Sequence, residues 1–582
     1  MPKIEVNEEL FYTLAERRFD TPQSLEEALT AAKAELDGDS DKTLPPSQRT
    51  LKIELNDTNR PDLWSTAGCA RQLRVYAGRG IPDYPFFSSP ACPNSPNPPQ
   101  HTVIVEEAVR PVRPFLAGFI AGGKEITDPA LKDMIQTQEK LAWNFGRKRR
   151  TVSLGLYRTS LLAWPLIYTA VDPDSVSFTP LQWETPLTLR EILKQHPKGK
   201  EYAFIQEHEP LHPLLQDSKG RVLSYPPIIN SADLGAVQAG DRDVFVEVTG
   251  TDMPSVFLSA SIMACDLADQ GYTIAPVAIE YAYDTPFGRR CVTPYYFQEP
   301  VFCSFERIKR LLGEGLDGPA CKAALGNMGV RADITRASER GDMLERGGVL
   351  AYPPPYRNDF LHAADVGEDV MIGRGLGSFT PRRPGDFTVG RLSPITLFSR
   401  TVKELLAGMG YQEMLYNYLG SRKDLVDRMG SDGSRIIRVA NPMTENYAYV
   451  RDSVLASLLI SESVSGHAAY PHKICEIGKV AYRDPQERDG TRTRQHAGFL
   501  AADRDATFNT ASAQIQTLFY YLSRSYQVEE AQDPRFIPGR AAAVRYNGAR
   551  VGVFGEIHPQ VLENWGVAVP CIAGEIDLDA LL

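Results

Sequence analysis

The segment PPPYRNDFLHAADVGEDV (353–370) holds four closely spaced carboxylates: Asp359, Asp365, Glu368 and Asp369. If a helix begins near Phe360, Asp365 and Asp369 stand four residues apart on one face, with Glu368 beside them. Asp359 would then be the N-cap residue and could turn toward the same side. Such like charges repel unless a cation neutralises them, and all-oxygen ligands favour Mg²⁺ or Ca²⁺ over zinc. The segment predicts either a divalent-metal site or an exposed acidic helix, and composition leaves both open.

Two shorter motifs suggest other chemistry. HEPLH (208–212) has the spacing of zinc peptidases, whose two histidines bind the metal from one helical face. Pro210 would disrupt that helix at a cost of about 3 kcal/mol, so surface-loop histidines are expected instead.

GRKRR (146–150) places four cations at the end of a helical pattern. It is typical of a solvated helix C-terminus, and contact with RNA phosphate is the alternative.

At 582 residues the chain is too long for one hydrophobic core, and its apolar patterning predicts an α+β protein of several domains. A proline-rich stretch (88–102) and a second one (381–391) indicate connections between domains. The predicted domains cover residues 1–85, 86–285, 298–378 and 388–582.

The same patterns predict individual elements. SLEEALTAAKAEL (24–36) predicts a helix, LKIEL (51–55) a strand, and β-branched runs such as DVFVEVTG (243–250) further strands. Two amphipathic stretches, 305–316 and 319–330, predict helices and make the third domain rich in helix.

Composition excludes several classes of protein. Hydrophobic residues make up 43% and charged residues 23%, which is ordinary for a globular protein. The start of the chain lacks the apolar core of a signal peptide, and no apolar run is long enough to span a bilayer, so a cytoplasmic protein without a membrane partner is expected. Eight cysteines without a CxxC pair favour buried free thiols. A net charge of −10 permits only a local basic face for nucleic acid.

Eight strings together resemble the beta subunit of phenylalanyl-tRNA synthetases, in its archaeal and eukaryotic type, and they span nearly the whole chain. They are ELNDTNRPDL (54–63), QEKLAWNFGRKRRTVSLGLY (138–157), LSYPPIINS (223–231), VFVEVTGTD (244–252), PPYRNDFLHAADVGEDV (354–370), NPMTENYAYVRDSVLASLL (441–459), KICEIGKV (473–480) and GVFGEIHPQVLENWGV (552–567). The chain length and the PPIINS and NPMTENYA strings favour that type over the longer bacterial one.

This resemblance implies a role for each predicted domain. Residues 86–285 would form an editing domain, and 298–378 a helix-rich, winged-helix-like metal-binding module. Residues 388–582 would form a degenerate class II synthetase domain with an antiparallel sheet. In the family, the carboxylates of the RNDxLHxxDxxED module bind Mg²⁺ close to the alpha subunit. They align onto Asp359, Asp365, Glu368 and Asp369.

The resemblance also implies an editing pocket that hydrolyses misacylated tyrosyl-tRNA. Its residues align onto Ser224 and Asn230, with Leu215 as a wall. Tyrosine differs from phenylalanine by one hydroxyl, which an apolar pocket rejects only about 100-fold. No base accompanies Ser224 or Asn230 in the sequence, so hydrolysis by an oriented water is expected. LGLYRTSLLAWPLIY (154–168) departs from the family pattern at Tyr157, Arg158 and Thr159, which leaves the efficiency of editing open.

The C-terminal domain is expected to be catalytically inactive. A class II site needs arginines that hold the ATP phosphates, whereas KICEIGKV offers only Lys479 and the last strand, IAGEIDLDALL, has acids alone. The resemblance therefore implies that ATP and phenylalanine bind a separate alpha chain. It implies a heterotetramer of two alpha and two beta subunits that binds tRNA-Phe, with a helix near 441–459 buried against other subunits.

Two alternatives remain at this point. The chain could be a free-standing aminoacyl-tRNA deacylase or tRNA-binding protein, in which case a polar surface is expected over 441–460. It could instead be a scaffold with a winged-helix-like DNA-binding module at 300–378, which the acidity of that segment disfavours.

Overall fold

The computed structural model describes residues 2–38, 40–45, 48–56, 59–88, 99–313, 315–335, 347–381, 383, 385 and 388–582. The chain divides into two compact units, 1–382 and 383–582. Their several sheets and many helices confirm a mixed α+β, multidomain architecture. Most of the proline-rich stretch 88–102 lies outside the described residues. No helix in the described ranges is long and apolar enough to cross a membrane, and the seven cysteines within them are buried free thiols.

The first part of the chain is a three-stranded antiparallel sheet with three helices. Its elements are β1 (Lys3–Asn7), α1 (Glu8–Ala15), α2 (Pro22–Leu29), β2 (Ala34–Leu36), β3 (Thr50–Leu55) and α3 (Thr66–Tyr76). Leu51, Ile53 and Leu55 point inward and are almost fully buried. Their alternation with polar residues predicted β3 correctly.

The helix predicted over 24–36 is only partly correct. The α-helix α2 ends at Leu29, and a 3₁₀ turn follows at Thr30–Ala32. Lys33 has a left-handed φ of 52°, which ends that turn. Residues 34–36 then pair with β3. Backbone hydrogen bonds to the sheet and burial outweigh the helix propensity of AAKAEL.

A ten-stranded sheet forms the body of residues 101–293. The elements of this part are β4 (His101–Val105), β5 (Phe115–Gly122), α4 (Asp128–Lys140), β6 (Val152–Arg158), β7 (Leu166–Val171), β8 (Ser177–Phe178), β9 (Leu187–Thr188), α5 (Leu189–Gln195), α6 (Pro197–Tyr202), β10 (His212–Gln216), β11 (Val222–Tyr225), β12 (Ile229–Asn230), β13 (Val244–Gly250), α7 (Met253–Asp269), β14 (Thr273–Tyr281) and β15 (Arg290–Thr293). The strand order is β12-β11-β10-β7-β4-β14-β5-β13-β6, with β15 beside β14, while β8 and β9 form a separate ribbon. Strand β4 runs parallel to β14 and β7, and the other pairs are antiparallel.

The two ends of this strand order meet through side chains. Tyr157 on β6, the last strand, hydrogen-bonds to Ser224 on β11 and to Asn230 on β12, the first strand. The sheet therefore curls until its terminal strands face each other, and residues of all three strands line a cavity at that seam.

The HEPLH histidines do not share a helix. His208 is exposed in a turn, as predicted for a surface loop. The prediction is wrong for His212, which is buried at the start of β10. Its Nδ1 lies 2.6 Å from the Tyr225 hydroxyl, so a hydrogen bond satisfies the buried ring.

Residues 301–374 form a smaller α+β module. Its elements are β16 (Val301–Ser304), α8 (Phe305–Leu312), α9 (Gly318–Asn327), β17 (Arg331–Thr335), β18 (Gly348–Tyr352) and α10 (Ala363–Arg374). The strands form an antiparallel sheet in the order β16-β18-β17. The predicted helices over 305–316 and 319–330 are present but shorter. Helix α8 ends where Gly313 adopts a φ of 77°.

The second unit is built on a seven-stranded sheet in the order β19-β23-β24-β28-β27-β26-β25. The elements of the unit are α11 (Pro394–Gly408), β19 (Gln412–Glu413), β20 (Leu419–Gly420), β21 (Ile437–Arg438), β22 (Tyr449–Val450), α12 (Leu455–Val464), β23 (His472–Arg483), β24 (Thr491–Ala502), α13 (Phe508–Tyr521), β25 (Gln527–Glu530), β26 (Phe536–Tyr546), β27 (Ala549–Ile557), α14 (Pro559–Trp565) and β28 (Cys571–Asp577). All pairs are antiparallel except β19 with β23.

Helix α12 buries its leucines within its own unit but exposes Ile460 and Val464, at 38% and 70%, so the contact with other subunits expected near 441–459 stays a prediction. Leu455, Leu458 and Leu459 are fully buried in the core of this unit. Their burial follows from the unit's own folding, so the apolar run SVLASLLI cannot distinguish an assembled subunit from a free-standing protein.

Candidate functional site

The seam cavity, as we call the space between the meeting ends of the large sheet, has a volume of about 480 Å³. Ser224 and Asn230, the two residues predicted for the editing pocket, both line it and are direct cross-strand partners on β11 and β12. Glu247 on β13 lines the same space. The structure therefore brings the two predicted residues together and adds a carboxyl that sequence reasoning missed.

A single phenol connects these three polar groups. The Tyr157 hydroxyl oxygen lies 2.8 Å from Ser224 Oγ, 3.0 Å from Glu247 Oε2 and 3.4 Å from Asn230 Oδ1. Tyr157 is fully buried behind the polar wall of the cavity. The buried phenol contacts all three groups and so holds them at fixed separations without occupying the cavity. It donates its one proton to one of them at a time.

Glu247 has the electrostatic character of a functional acid. It is 2% exposed, and its Oε1 has no hydrogen-bond partner within the described part of the chain. Burial raises the pKa of Glu247 from 4.5 to about 7, and the Tyr157 hydroxyl and the charge of Arg113 only partly oppose this effect. At neutral pH the carboxyl can therefore donate or accept a hydrogen bond.

Two glycines make room for this arrangement. A Cβ atom on Gly155 would lie 2.3 Å from the Tyr157 hydroxyl and 2.5 Å from Glu247 Oε2. A Cβ atom on Gly235 would lie 2.4 Å from the Cβ of Asn230. Neither position accepts a side chain without displacing the polar groups of the cavity.

The rest of the cavity is apolar on one side and charged elsewhere. Apolar side chains come from α4, β6 and the loop after β12: Leu131, Ile135, Leu154, Leu156 and Val237. Two cations, Arg149 and Lys198, and one acid, Glu139, also line the cavity. Leu215 was predicted as a wall but is not among the lining residues; it is fully buried opposite Ser224 in the neighbouring strand. It supports the wall from behind.

The four carboxylates predicted to bind Mg²⁺ have other partners. Arg357 binds Asp359 through Nε and Nη2, at 3.0 and 2.6 Å, and binds Asp369 through Nη1 and Nη2, at 2.5 and 3.1 Å. All three side chains are buried. Burial raises the pKa of Asp359, but the Arg357 guanidinium outweighs that effect and lowers it to about 2. Arg357 therefore supplies the neutralising charge expected of a metal.

The remaining two carboxylates lie at the edge of this cluster. Asp365 accepts the backbone N–H groups of Leu361 and His362, and Glu368 binds Lys33 Nζ at 2.7 Å. Helix α10 begins at Ala363 rather than near Phe360, so Asp359 is not its N-cap. No group of three metal-ligating side chains forms within the described ranges. The chain by itself does not assemble the predicted four-carboxylate site.

The second unit contains a cavity of about 730 Å³, and three arginines line it: Arg435, Arg535 and Arg550. Arg535 binds Asp533 and Glu575, whereas Arg435 and Arg550 are exposed. Arg451, which is fully buried and does not line the cavity, binds Glu476. Lys479 is exposed and, by strand alternation, points to the opposite face from Glu476.

Two family models and full-length relatives assign this chain to the aminoacyl-tRNA synthetase class. Residues 382–578 match the family model described as the phenylalanyl tRNA synthetase beta chain CLM domain, and 301–376 match the tRNA synthetase B5 domain. The phenylalanine–tRNA ligase beta subunit of Treponema pallidum subsp. pallidum is 47% identical over 100% of both chains. That of Borrelia hermsii is 44% identical over 91% of this chain and 92% of its own.

A solved structure agrees with these relatives. An N-terminal fragment of the phenylalanyl-tRNA synthetase beta subunit from Pyrococcus horikoshii is 33% identical, with a TM-score of 0.57, over 100% of the fragment and 64% of this chain. The chain belongs to the family of phenylalanine–tRNA ligase beta subunits. The two curated relatives are bacterial, so they do not support the predicted archaeal and eukaryotic type.

Proposed function

We propose that this chain is the non-catalytic beta subunit of a heteromeric phenylalanine–tRNA ligase and that it hydrolyses tyrosyl-tRNA-Phe in the seam cavity. Aminoacylation with ATP and phenylalanine would belong to an alpha chain, in a tetramer of two alpha and two beta subunits in the cytoplasm. The observation that carries the editing role is the convergence of Ser224, Asn230 and Glu247 at one end of an otherwise apolar cavity.

This cavity suits a tyrosyl group better than a phenylalanyl group. The apolar side chains of α4 and β6 accept either aromatic ring, whereas the unpartnered Oε1 of Glu247 needs a hydrogen bond. A tyrosine hydroxyl supplies that bond, and a phenylalanine ring leaves the buried carboxyl unsatisfied. Sites that hydrogen-bond a substrate hydroxyl discriminate against its absence much more strongly than apolar pockets discriminate against its presence.

The hydrolytic step requires a water molecule and no protein nucleophile. When Tyr157 donates to Ser224 Oγ, the Ser224 proton is free to point into the cavity toward the ester carbonyl or the water. Asn230 adds amide donor and acceptor groups beside it. Water attacks the ester carbon, the bond to the ribose oxygen breaks, and that oxygen takes up the proton, giving tyrosine and free tRNA. Tyr157 is a positioning residue in this scheme.

The test uses the full chain assembled with its alpha partner and preformed tyrosyl-tRNA-Phe. Asn230→Ala should lengthen the lifetime of tyrosyl-tRNA while phenylalanylation persists. Asn509→Ala, which changes an exposed asparagine on helix α13 of the second unit, is the matched control. An unchanged lifetime in Asn230→Ala would remove the seam cavity from the reaction, and charging by the beta chain alone would refute its non-catalytic role.

Mg²⁺ is proposed to bind at Asp365 and Glu368, with further ligands from the alpha partner. These are the two carboxylates with partly exposed side chains, at 22% and 44%. Asp359 and Asp369 would remain on Arg357. The Asp365→Asn/Glu368→Gln variant should reduce the effect of Mg²⁺ on assembly with the alpha chain, measured by analytical ultracentrifugation. A wild type that assembles equally well in excess chelator would contradict this site.

The archaeal and eukaryotic type is part of the proposal and concerns architecture rather than source. Its support is the P. horikoshii fragment, which is matched over its whole length at 33% identity. Copurification and mass measurement of the assembled enzyme would test the two-alpha, two-beta stoichiometry.

A further inference from the structure

The GRKRR string forms a turn with an uncommon backbone. A π-helical segment, Leu141–Phe145, extends α4, and Gly146–Arg150 then reverses the chain. Three consecutive residues, Arg147, Lys148 and Arg149, have left-handed φ values of 50°, 56° and 64°. Non-glycine residues seldom adopt this conformation, and a run of three requires support from the surrounding structure.

That support comes from backbone hydrogen bonds and from a buried arginine. The backbone N–H groups of Lys148 and Arg149 donate to the carbonyls of Trp143 and Ala142, both at 2.8 Å. The buried Arg113 donates to the carbonyls of Arg149 and Arg150, at 3.2 and 3.1 Å. The turn is therefore held in one shape, and this shape was not expected for a simple solvated helix end.

The turn displays its cations beside aromatic rings. Lys148 lies 5.3 Å from the ring centre of Trp143, Arg149 lies 4.3 Å from that of Tyr202, and Arg150 lies 4.8 Å from that of Phe204. Trp143 is 44% exposed and Phe204 is 39% exposed, which is high for such large apolar side chains. We call residues 146–150 with these three rings the basic platform.

The cations of the basic platform lack the acidic partners expected for a purely structural surface. Within the described ranges, no carboxylate lies within 4.0 Å of the charged groups of residues 147–150, although nearby exposed cations such as Arg190 and Lys198 have acidic partners. The four cations of residues 147–150 outnumber Glu139 and Glu201, the acids whose charges act on Arg149 or Tyr202, so the surface is positive, aromatic and preformed on a chain whose net charge is −10. Positive charge attracts phosphate, and exposed rings stack on unpaired bases.

The platform is continuous with the seam cavity. Arg149 belongs to both, since its side chain lines the cavity and stacks on Tyr202. Its Nη1 also donates to the carbonyls of Pro227 and Ile228, in the loop that joins Ser224 to Asn230. The basic platform therefore borders the cavity.

We propose that the basic platform binds the single-stranded 3′ end of tRNA and directs its terminal aminoacyl ester into the seam cavity. Phosphates pair with Lys148 and Arg150, and the unpaired bases stack on Trp143 and Phe204. An acidic peptide of a partner chain would use the cations but would have no need of two exposed rings. The proposal rests on the editing function only for the identity of the ester, because binding of the RNA end is measurable without hydrolysis.

The test uses the full chain assembled with its alpha partner and two forms of tRNA-Phe. One carries 2-aminopurine in place of the 3′-terminal adenine, and the other lacks the unpaired 3′ nucleotides. Trp143→Ala and Lys148→Ala/Arg150→Ala should each weaken binding of the intact tRNA roughly tenfold and raise the 2-aminopurine fluorescence. Binding of the truncated tRNA should change less than twofold.

The charge contribution has its own measurement and controls. Lys148→Ala/Arg150→Ala should lower the slope of log K against log salt by about 1.4, since each phosphate contact with a single strand contributes about 0.7. Arg110→Ala/Arg289→Ala removes two exposed, paired arginines outside the platform and should leave both values unchanged. Trp143→Phe keeps a ring at the exposed site and should restore binding of the intact tRNA.

Three outcomes would overturn the proposal. They are unchanged binding of the intact tRNA, equal weakening of the truncated tRNA, and loss of the alpha partner with unchanged RNA binding, which would identify the platform as a protein-binding surface. Absence of tyrosyl-tRNA hydrolysis in the wild type would refute the editing function instead. The binding measurements would still test whether the basic platform binds the 3′ end of the tRNA.

Discussion

The substitution Glu247→Gln tests the seam cavity through stability as well as activity. The carboxyl has a pKa of about 7 in the folded chain against an ordinary value of 4.5. At about 1.4 kcal/mol per pH unit, this difference corresponds to about 3 kcal/mol. The glutamine side chain stays neutral, keeps an acceptor for Tyr157, and has nearly the same volume.

The sign of the effect follows from which state binds the proton more tightly. Below pH 4.5 the carboxyl is protonated in both states, and burial of Glu247 costs no ionisation energy. Between pH 4.5 and 7 the unfolded chain loses its proton while the folded chain retains it, so stability falls as pH rises. Above pH 7 the whole loss of about 3 kcal/mol is present. Glu247→Gln should therefore match the wild type near pH 4 and exceed it by about 3 kcal/mol at pH 8.

Hydrogen exchange in rising urea, followed on a peptide that covers β13, measures this difference locally. Glu280→Gln changes a half-exposed carboxylate on β14 and should reproduce the wild-type pH dependence.

In the same preparations, Glu247→Gln should hydrolyse tyrosyl-tRNA roughly 30-fold more slowly. A hydrogen bond to a charged group contributes about 2 kcal/mol, and the amide replaces that group. Equal stability of variant and wild type at pH 8, or undiminished hydrolysis, would refute the role given to Glu247.

Two further substitutions test the packing around the proposed sites. Gly155→Ala should slow hydrolysis of tyrosyl-tRNA and leave phenylalanylation intact, because its Cβ would lie 2.3 Å from the Tyr157 hydroxyl; an unchanged tyrosyl-tRNA lifetime would contradict this. Arg357→Met should destabilise the chain by about 3–5 kcal/mol, since it leaves Asp359 and Asp369 buried without their cation. Urea unfolding would measure the loss, and an unshifted midpoint would show that the ion pairs contribute little.

Local patterns predicted the elements better than their boundaries. Alternation of apolar and polar residues gave β3, which is buried on one face, and a run of β-branched residues gave β13, which is buried on both. The helix over 24–36 failed after Leu29, since pairing of residues 34–36 with β3 depends on a strand that comes later in the chain. Helix α10 begins three residues later than predicted, which removed Asp359 from the N-cap position.

The site residues also divide into those that the sequence indicates and those that depend on contacts between separate strands. Ser224 and Asn230 came from the resemblance, and they lie together because a short hairpin joins β11 and β12. The sequence does distinguish Glu247, because it is the one acid in the middle of the apolar strand VFVEVTG. Its partner Tyr157 could not be assigned from local pattern, because their contact depends on pairing between β6 and β13. The cation that neutralises Asp359 is also nearby in the sequence, since Arg357 precedes Asp359 by two residues.

The buried Arg113 explains why the platform and the polar end of the cavity can act as one site. Its guanidinium donates to the carbonyls of Arg149 and Arg150 in the basic turn, and to the carbonyl of Thr249, two residues beyond Glu247 on β13. Burial lowers the pKa of Arg113 to about 10, so it remains charged at neutral pH. Two hydrogen bonds from this one cation reach the turn and two reach Thr249 on the strand that carries the acid, while a fifth reaches Ser153 on β6. An RNA end placed by the turn would therefore meet Glu247 at a distance set by the fold and not by the motion of a loop.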